Sequence, residues 1–138
     1  MSTLDDLRKR GLIEKVEPDE AIATGWLDDA GQHLEAATKI AELDRSGAYL
    51  LAYDAARKSV AAALLMSGHR VLSRPGSHQA LAQYAESIAI QVDEPALNRF
   101  DRLRRNRNRS EYGSRTFGKA EVAEAIDTAR AIRAASLI

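Results

Sequence analysis

The chain has 138 residues, 20 Lys and Arg against 20 Asp and Glu, no cysteine, 45% apolar residues and 5% aromatic residues. That length suits a single domain over residues 1–138. The missing cysteine excludes a disulfide framework and a thiolate metal site, and the balanced charge leaves partners to be read from local clusters. The longest apolar run, Val60 to Met66, falls far short of the ~20 residues of a membrane span. The opening "MSTLDDLRKRG" lacks the layout of a secretory signal. A cytoplasmic protein with no membrane partner is the expectation.

Strand signals are poor and helical periodicity recurs along the chain, which predicts an all-α fold. Residues 1–17 hold a short leading helix, "LDDLRKRGLIEKV" (4–16), weakened at Gly11. Pro18 suits the first turn of the next helix, whose stripe is Ile22, Trp26, Leu27, Ala30, Leu34, Ala37 and Ala41. "DRSG" interrupts near residue 45, and a second long helix runs from about Ala48 to Met66 with a narrow face of small residues: Ala52, Ala55, Ala56, Ser59, Ala63 and Met66. Ser67-Gly68 reads as its stop. "SRPGS" (73–77) is a loop in which Ser77 can cap the third helix, with Leu81, Tyr84, Ala85 and Ile88 inward. "VDEPA" separates this from a fourth helix with Pro95 in its first turn and a stripe of Leu97, Phe100, Leu103 or Arg104, Arg107 and Glu111, ending at Gly113. Gly118 and Glu121 open a last helix that buries Val122, Ala125, Ile126, Ala129 and Ile132. The architecture predicted is an up-and-down four-helix bundle over 18–135, with short extra N- and C-terminal helices.

Charge is uneven. Acids crowd the first third, whereas Arg99, Arg102, Arg104, Arg105, Arg107 and Arg109 face Asp101 alone. Arginines near a helix C-terminus favour the helix dipole and cover apolar surface with their stems, which makes a solvated face the plain reading. Arg107, however, is in phase with Leu97, Phe100 and Leu103, so it is expected to point at the seam. An inward arginine needs an anion: the Glu111 carboxylate one turn on, or a phosphate.

The segments "AYLLAYDAARKSVAAALL" (48–65), "GSH" (76–78) and "FDRLRRNRNRSEYG" (100–113) together resemble the HEPN superfamily, the helical domains of higher eukaryotic and prokaryotic nucleotide-binding proteins, over roughly 19–135. The resemblance implies a homodimer in which two copies of an Arg–polar–gap–His motif meet and act as a metal-independent ribonuclease. Arg and Asn would hold the scissile phosphate and His would move protons. Arg107 and Asn108 match that motif, while Tyr112 stands at the histidine position. A histidine titrates near neutrality. An unperturbed tyrosine is deprotonated only about one part in a thousand at pH 7, which argues against efficient cleavage. A tyrosine can still stack on a base or donate a hydrogen bond. The resemblance also implies that a tyrosine near the motif can be modified with nucleotides by a partner nucleotidyltransferase, which makes Tyr112 a candidate modification site. It implies too that such chains belong to two-gene toxin–antitoxin or defence modules.

His33, His69 and His78 form no HExxH and no close pair, so no metal site and no cofactor is expected. His33 reads as a helix-surface residue, His69 as bound to backbone or water, and His78 as a loop residue that could approach Tyr112. Trp26, Tyr49, Tyr53 and Tyr84 read as core, and Arg57-Lys58 as surface charges near Asp54. The function expected is a HEPN-like component of a prokaryotic toxin–antitoxin or defence system that does not catalyse cleavage. It would bind RNA, nucleotide phosphate or a partner protein through Arg104, Arg105, Arg107, Asn108, Arg109 and Tyr112. Two alternatives stand beside it: a metal-independent ribonuclease toxin using Arg107, Asn108 and Tyr112 as an atypical catalytic set, and a helical protein-interaction adaptor.

Overall fold

Three carboxylates start three segments of the fold. Asp19 accepts from Ile22 N–H at 3.0 Å, Asp44 from Gly47 N–H at 2.8 Å and Glu94 from Ala96 N–H at 3.0 Å, each satisfying an amide that a helix start leaves without a partner. The structure is a computed structural model that describes residues 2–112 and 116–137, and the side chains of these save 110–112. Its elements are α1 (Thr3–Lys9), β1 (Ile13–Lys15), α2 (Glu20–Ile40), α3 (Arg45–Met66), β2 (His69–Val71), α4 (Ser77–Val92), a 3-10 turn (Pro95–Arg99), α5 (Phe100–Tyr112) and α6 (Lys119–Ser136). The fold is all-α. Among the described residues no helix is long and apolar enough to cross a membrane.

Helix α3 is the axis, packing on α2, α4, α5 and α6. Its small face is wider than a stripe. Ala48, Ala52, Ala55, Ala56, Ser59, Val60 and Ala62 are all fully buried, while Ala63 and Met66 are half-buried at its end. A helix apolar around its circumference is one surrounded by neighbours, and alanine lets those neighbours come close. The one hydroxyl in this face, Ser59, donates to Ala55 C=O at 2.7 Å, so its burial leaves no polar group unanswered. Phe117 stacks on Tyr49 with ring centroids 4.0 Å apart and planes at 5°, which ties the chain just before α6 to the first turns of α3. The inward positions expected for the last helix, Val122, Ala125, Ile126, Ala129 and Ile132, are all buried.

The leading helix ends earlier than its sequence suggests, and a strand follows it. Gly11 takes φ +71°, a left-handed turn that an L side chain resists. Leu12 and Ile13 are thereby turned into the core. Residues 13–15 then pair antiparallel with β2 in the register Ile13↔Val71, Glu14↔Arg70, Lys15↔His69. Two local starts differ as well. Pro18 precedes the Asp19 cap instead of occupying the first turn of α2. Gly76, at φ +93°, holds the cap position of α4. Ser77 instead accepts from Arg74 N–H at 3.1 Å, and its hydroxyl reaches the carbonyls of Leu72 and Arg74. It braces the loop rather than the helix. Helix α3 also begins three residues ahead of the expected Ala48, because Asp44 caps it.

Candidate anion-binding site

Leu97, Phe100 and Leu103 are buried, so the apolar seam runs inward as its periodicity predicts, although Pro95 opens a 3-10 turn that holds Leu97 and α5 itself starts at Phe100. It presses against Tyr53 of α3, which meets Phe100 edge to face at 5.9 Å. One turn on, Arg107 is half-buried with its guanidinium carbon 5.8 Å from the centre of the Tyr53 ring, within reach of a cation–π attraction. The inward direction of Arg107 therefore has a physical seat. Its Nη1 donates to the Asn108 side-chain oxygen at 3.3 Å. The two motif residues stand side by side.

The remaining arginines fan out and are answered unequally. Asp101 accepts from Arg104 at 2.8 Å and pairs with Arg105 at 3.2 Å, the third and fourth positions along the helix from it. Arg102 turns the other way and pairs with Glu124 of α6 at 2.8 Å. Arg109 is exposed. Arg57 of α3, expected as a surface charge, does pair with Asp54 at 3.6 Å. It also faces Tyr53, together with Arg104 and Arg107. Burial raises the Tyr53 pKa above its ordinary 10.0, and the three nearby arginines pull the other way without prevailing. Tyr53 is thus a neutral phenol at physiological pH and offers no base. Its companion Lys58 turns to α2, donating to His33 at 2.9 Å and pairing with Asp29 at 3.4 Å.

Arg107 forms one wall of a groove of about 320 Å³ whose other walls are Tyr49, Leu50 and Phe117 and the start of α3 at Asp44, Ser46 and Gly47. On the far side of Tyr49 a second depression, of about 270 Å³, is walled by Arg102, Asn106, Glu121 and Glu124. The site residues that sequence reasoning missed are Tyr49 and Phe117, whose stacked pair lines the Arg107 groove. Nothing in the linear pattern joins residues so far apart. Tyr112 and Glu111 belong to α5, but their side chains, like Gly113, lie outside the described residues. The histidines are elsewhere: His69 is buried with Nδ1 3.1 Å from Ser67 C=O, and His78 is exposed at the start of α4. Among the described residues no three His, Asp or Glu side chains gather as a metal site.

The molecule is an all-α fold in which Arg107 of a late helix walls a groove and is hydrogen-bonded to Asn108. A family model described as HEPN domain matches residues 23–137, and the chain belongs to the HEPN domain family. No curated protein and no solved structure matches it.

Proposed function

We propose that the chain is a component of a prokaryotic toxin–antitoxin or defence system and binds RNA or nucleotide phosphate through α5 without cleaving it efficiently. The observation that carries the reading is Arg107, which walls an open groove and is hydrogen-bonded to Asn108 at 3.3 Å. A guanidinium and an amide placed together supply the planar, directed donors that phosphate oxygens accept. The exposed Arg105 and Arg109 extend positive charge along the same helix, and Arg104 beside them is half-buried. A homodimer would bring two such helix faces to one anion, which fits the family.

No histidine stands at the motif position to move protons. Tyr112 occupies the position of the motif histidine, and a phenol near its ordinary pKa is a poor base at pH 7. Tyr53 is held further from ionisation by burial. Tyr112 is also the residue that a partner nucleotidyltransferase would modify, and intact-mass measurement of the protein co-expressed with such a partner reads that directly. The functional test is incubation of the purified protein with RNA in EDTA beside an Arg107→Ala control. Intact RNA that the protein nonetheless retards in a native gel is the expected result. Cleavage that disappears in Arg107→Ala would establish a ribonuclease and overturn the reading.

A further inference from the structure

A groove of about 510 Å³ lies away from the Arg107 groove, between α2, α3 and the corner where β2 leads into α4. Its volume falls within the ~300–1,000 Å³ of small-molecule sites. Trp26, the chain's one tryptophan, forms one wall while it is half-buried against a satellite core of Ala23, Leu27, Ala62 and Leu65. Leu64 and Leu81 continue the apolar surface. Arg57, Arg70 and Arg74 supply the charge, and among the described residues no acidic side chain lines the groove. Two of these cations have a carboxylate partner outside it: Arg57 pairs with Asp54 at 3.6 Å, and Arg70, with its side chain 63% exposed, pairs with Glu14. Arg74 is exposed and has no ion pair among the described residues. Its guanidinium is set against the Gly11 turn, where an added Cβ would come within 2.9 Å of Nη1, and the loop that carries it is braced by Ser77. The cation is therefore presented by ordered backbone.

A flat indole beside guanidinium forks is a combination that a bare anion does not need. An unpaired nucleotide uses both parts: its base stacks on an aromatic face, and its phosphate takes directed donors. We infer that this groove is a second binding site, for one unpaired nucleotide, with the base against Trp26 and the phosphate on Arg70 and Arg74. The inference goes beyond the α5 reading and does not rest on it. The two sites do approach each other at Arg57, which lines this groove and also faces Tyr53 beside Arg104 and Arg107. A nucleotide within an RNA strand and a free mononucleotide share the chemistry the groove recognises.

Trp26 reports on its own site, since no other tryptophan contributes to emission. The full chain is titrated with AMP, adenosine, inorganic phosphate and a short oligoadenylate, exciting where the nucleotides do not absorb. AMP and oligoadenylate should quench saturably, and adenosine should need about tenfold higher concentration, because it lacks the phosphate. Phosphate should displace AMP without quenching. The double variant Arg70→Ala/Arg74→Ala, its helical content checked by circular dichroism, should weaken AMP about tenfold or more. Oligoadenylate saturating at far lower concentration than AMP identifies a strand as the source, and equal saturation identifies a free nucleotide. The inference is overturned by absence of saturable quenching, by quenching that the double variant leaves intact, or by polyglutamate displacing AMP as well as oligoadenylate does. RNA retardation by α5 is read separately, so that reading stands or falls on its own result.

Discussion

Arginines gather in two regions of this molecule, and the regions differ in how their charge is answered. Along α5, Asp101 takes both Arg104 and Arg105, and Glu124 reaches across from α6 to Arg102. Around Trp26, by contrast, the walls hold three arginines and no acid, and Arg74 has no ion pair among the described residues. The α5 arginines find their carboxylates on the helix itself and on α6, whereas Arg57 and Arg70 find theirs outside the groove walls, at Asp54 and Glu14. On α5, Arg107 is hydrogen-bonded to Asn108 and Arg109 is exposed. What the Trp26 groove keeps is charge beside an aromatic wall.

That contrast can be broken first at the packing under α5. Phe100 is fully buried and meets Tyr53 edge to face, so Phe100→Ala should cost about 3–5 kcal/mol, read by urea denaturation. A cost below about 1 kcal/mol would mean that α5 is not seated on Tyr53. The charge side is sharpened by Asp101→Asn, which releases Arg104 and Arg105 together. RNA affinity of the variant should rise roughly several-fold at low salt, while stability falls by no more than about 1 kcal/mol because both ion pairs are partly exposed. Unchanged or weaker RNA binding would show that these two arginines do not face the ligand.

The smallest expected effect concerns alkaline stability. The folded pKa of Tyr53 lies above its unfolded value of about 10.0, so the folded chain holds this proton more tightly than the unfolded one. The contribution is fully present below pH 10 and is lost as pH rises through the folded value. Tyr84 behaves in the same direction, also through burial, so Tyr53→Phe should reduce the alkaline loss of stability without abolishing it. Denaturation midpoints compared at neutral pH and above pH 10 give the difference. An identical fall in both proteins would remove Tyr53 from the account.

The helices were legible because their inward residues repeat at helical spacing. Leu81, Tyr84, Ala85 and Ile88 of α4 and Val122, Ala125, Ile126, Ala129 and Ile132 of α6 are buried as that spacing requires. The β1–β2 ribbon was not, because a three-residue strand offers too little alternation to detect and its pairing joins distant segments, Ile13 with Val71. Within α5, the phase of Arg107 and the spacing of Asp101 from Arg104 and Arg105 could both be read along one helix. Arg102 meeting Glu124 could not, since it depends on how α6 is placed. The Trp26 groove was the least legible feature: it is assembled from α2, α3, β2 and α4, and each residue taken singly reads as core or as surface charge.

Phosphate contact by Arg107 is tested most directly by the salt dependence of RNA affinity. The logarithm of affinity for a single-stranded RNA is plotted against the logarithm of salt concentration for the wild-type chain and for Arg107→Ala. Weaker binding by the variant and a slope shallower by about 0.7, the value for one lost phosphate contact on a single strand, is the predicted result. Two lines of equal slope and height would contradict it.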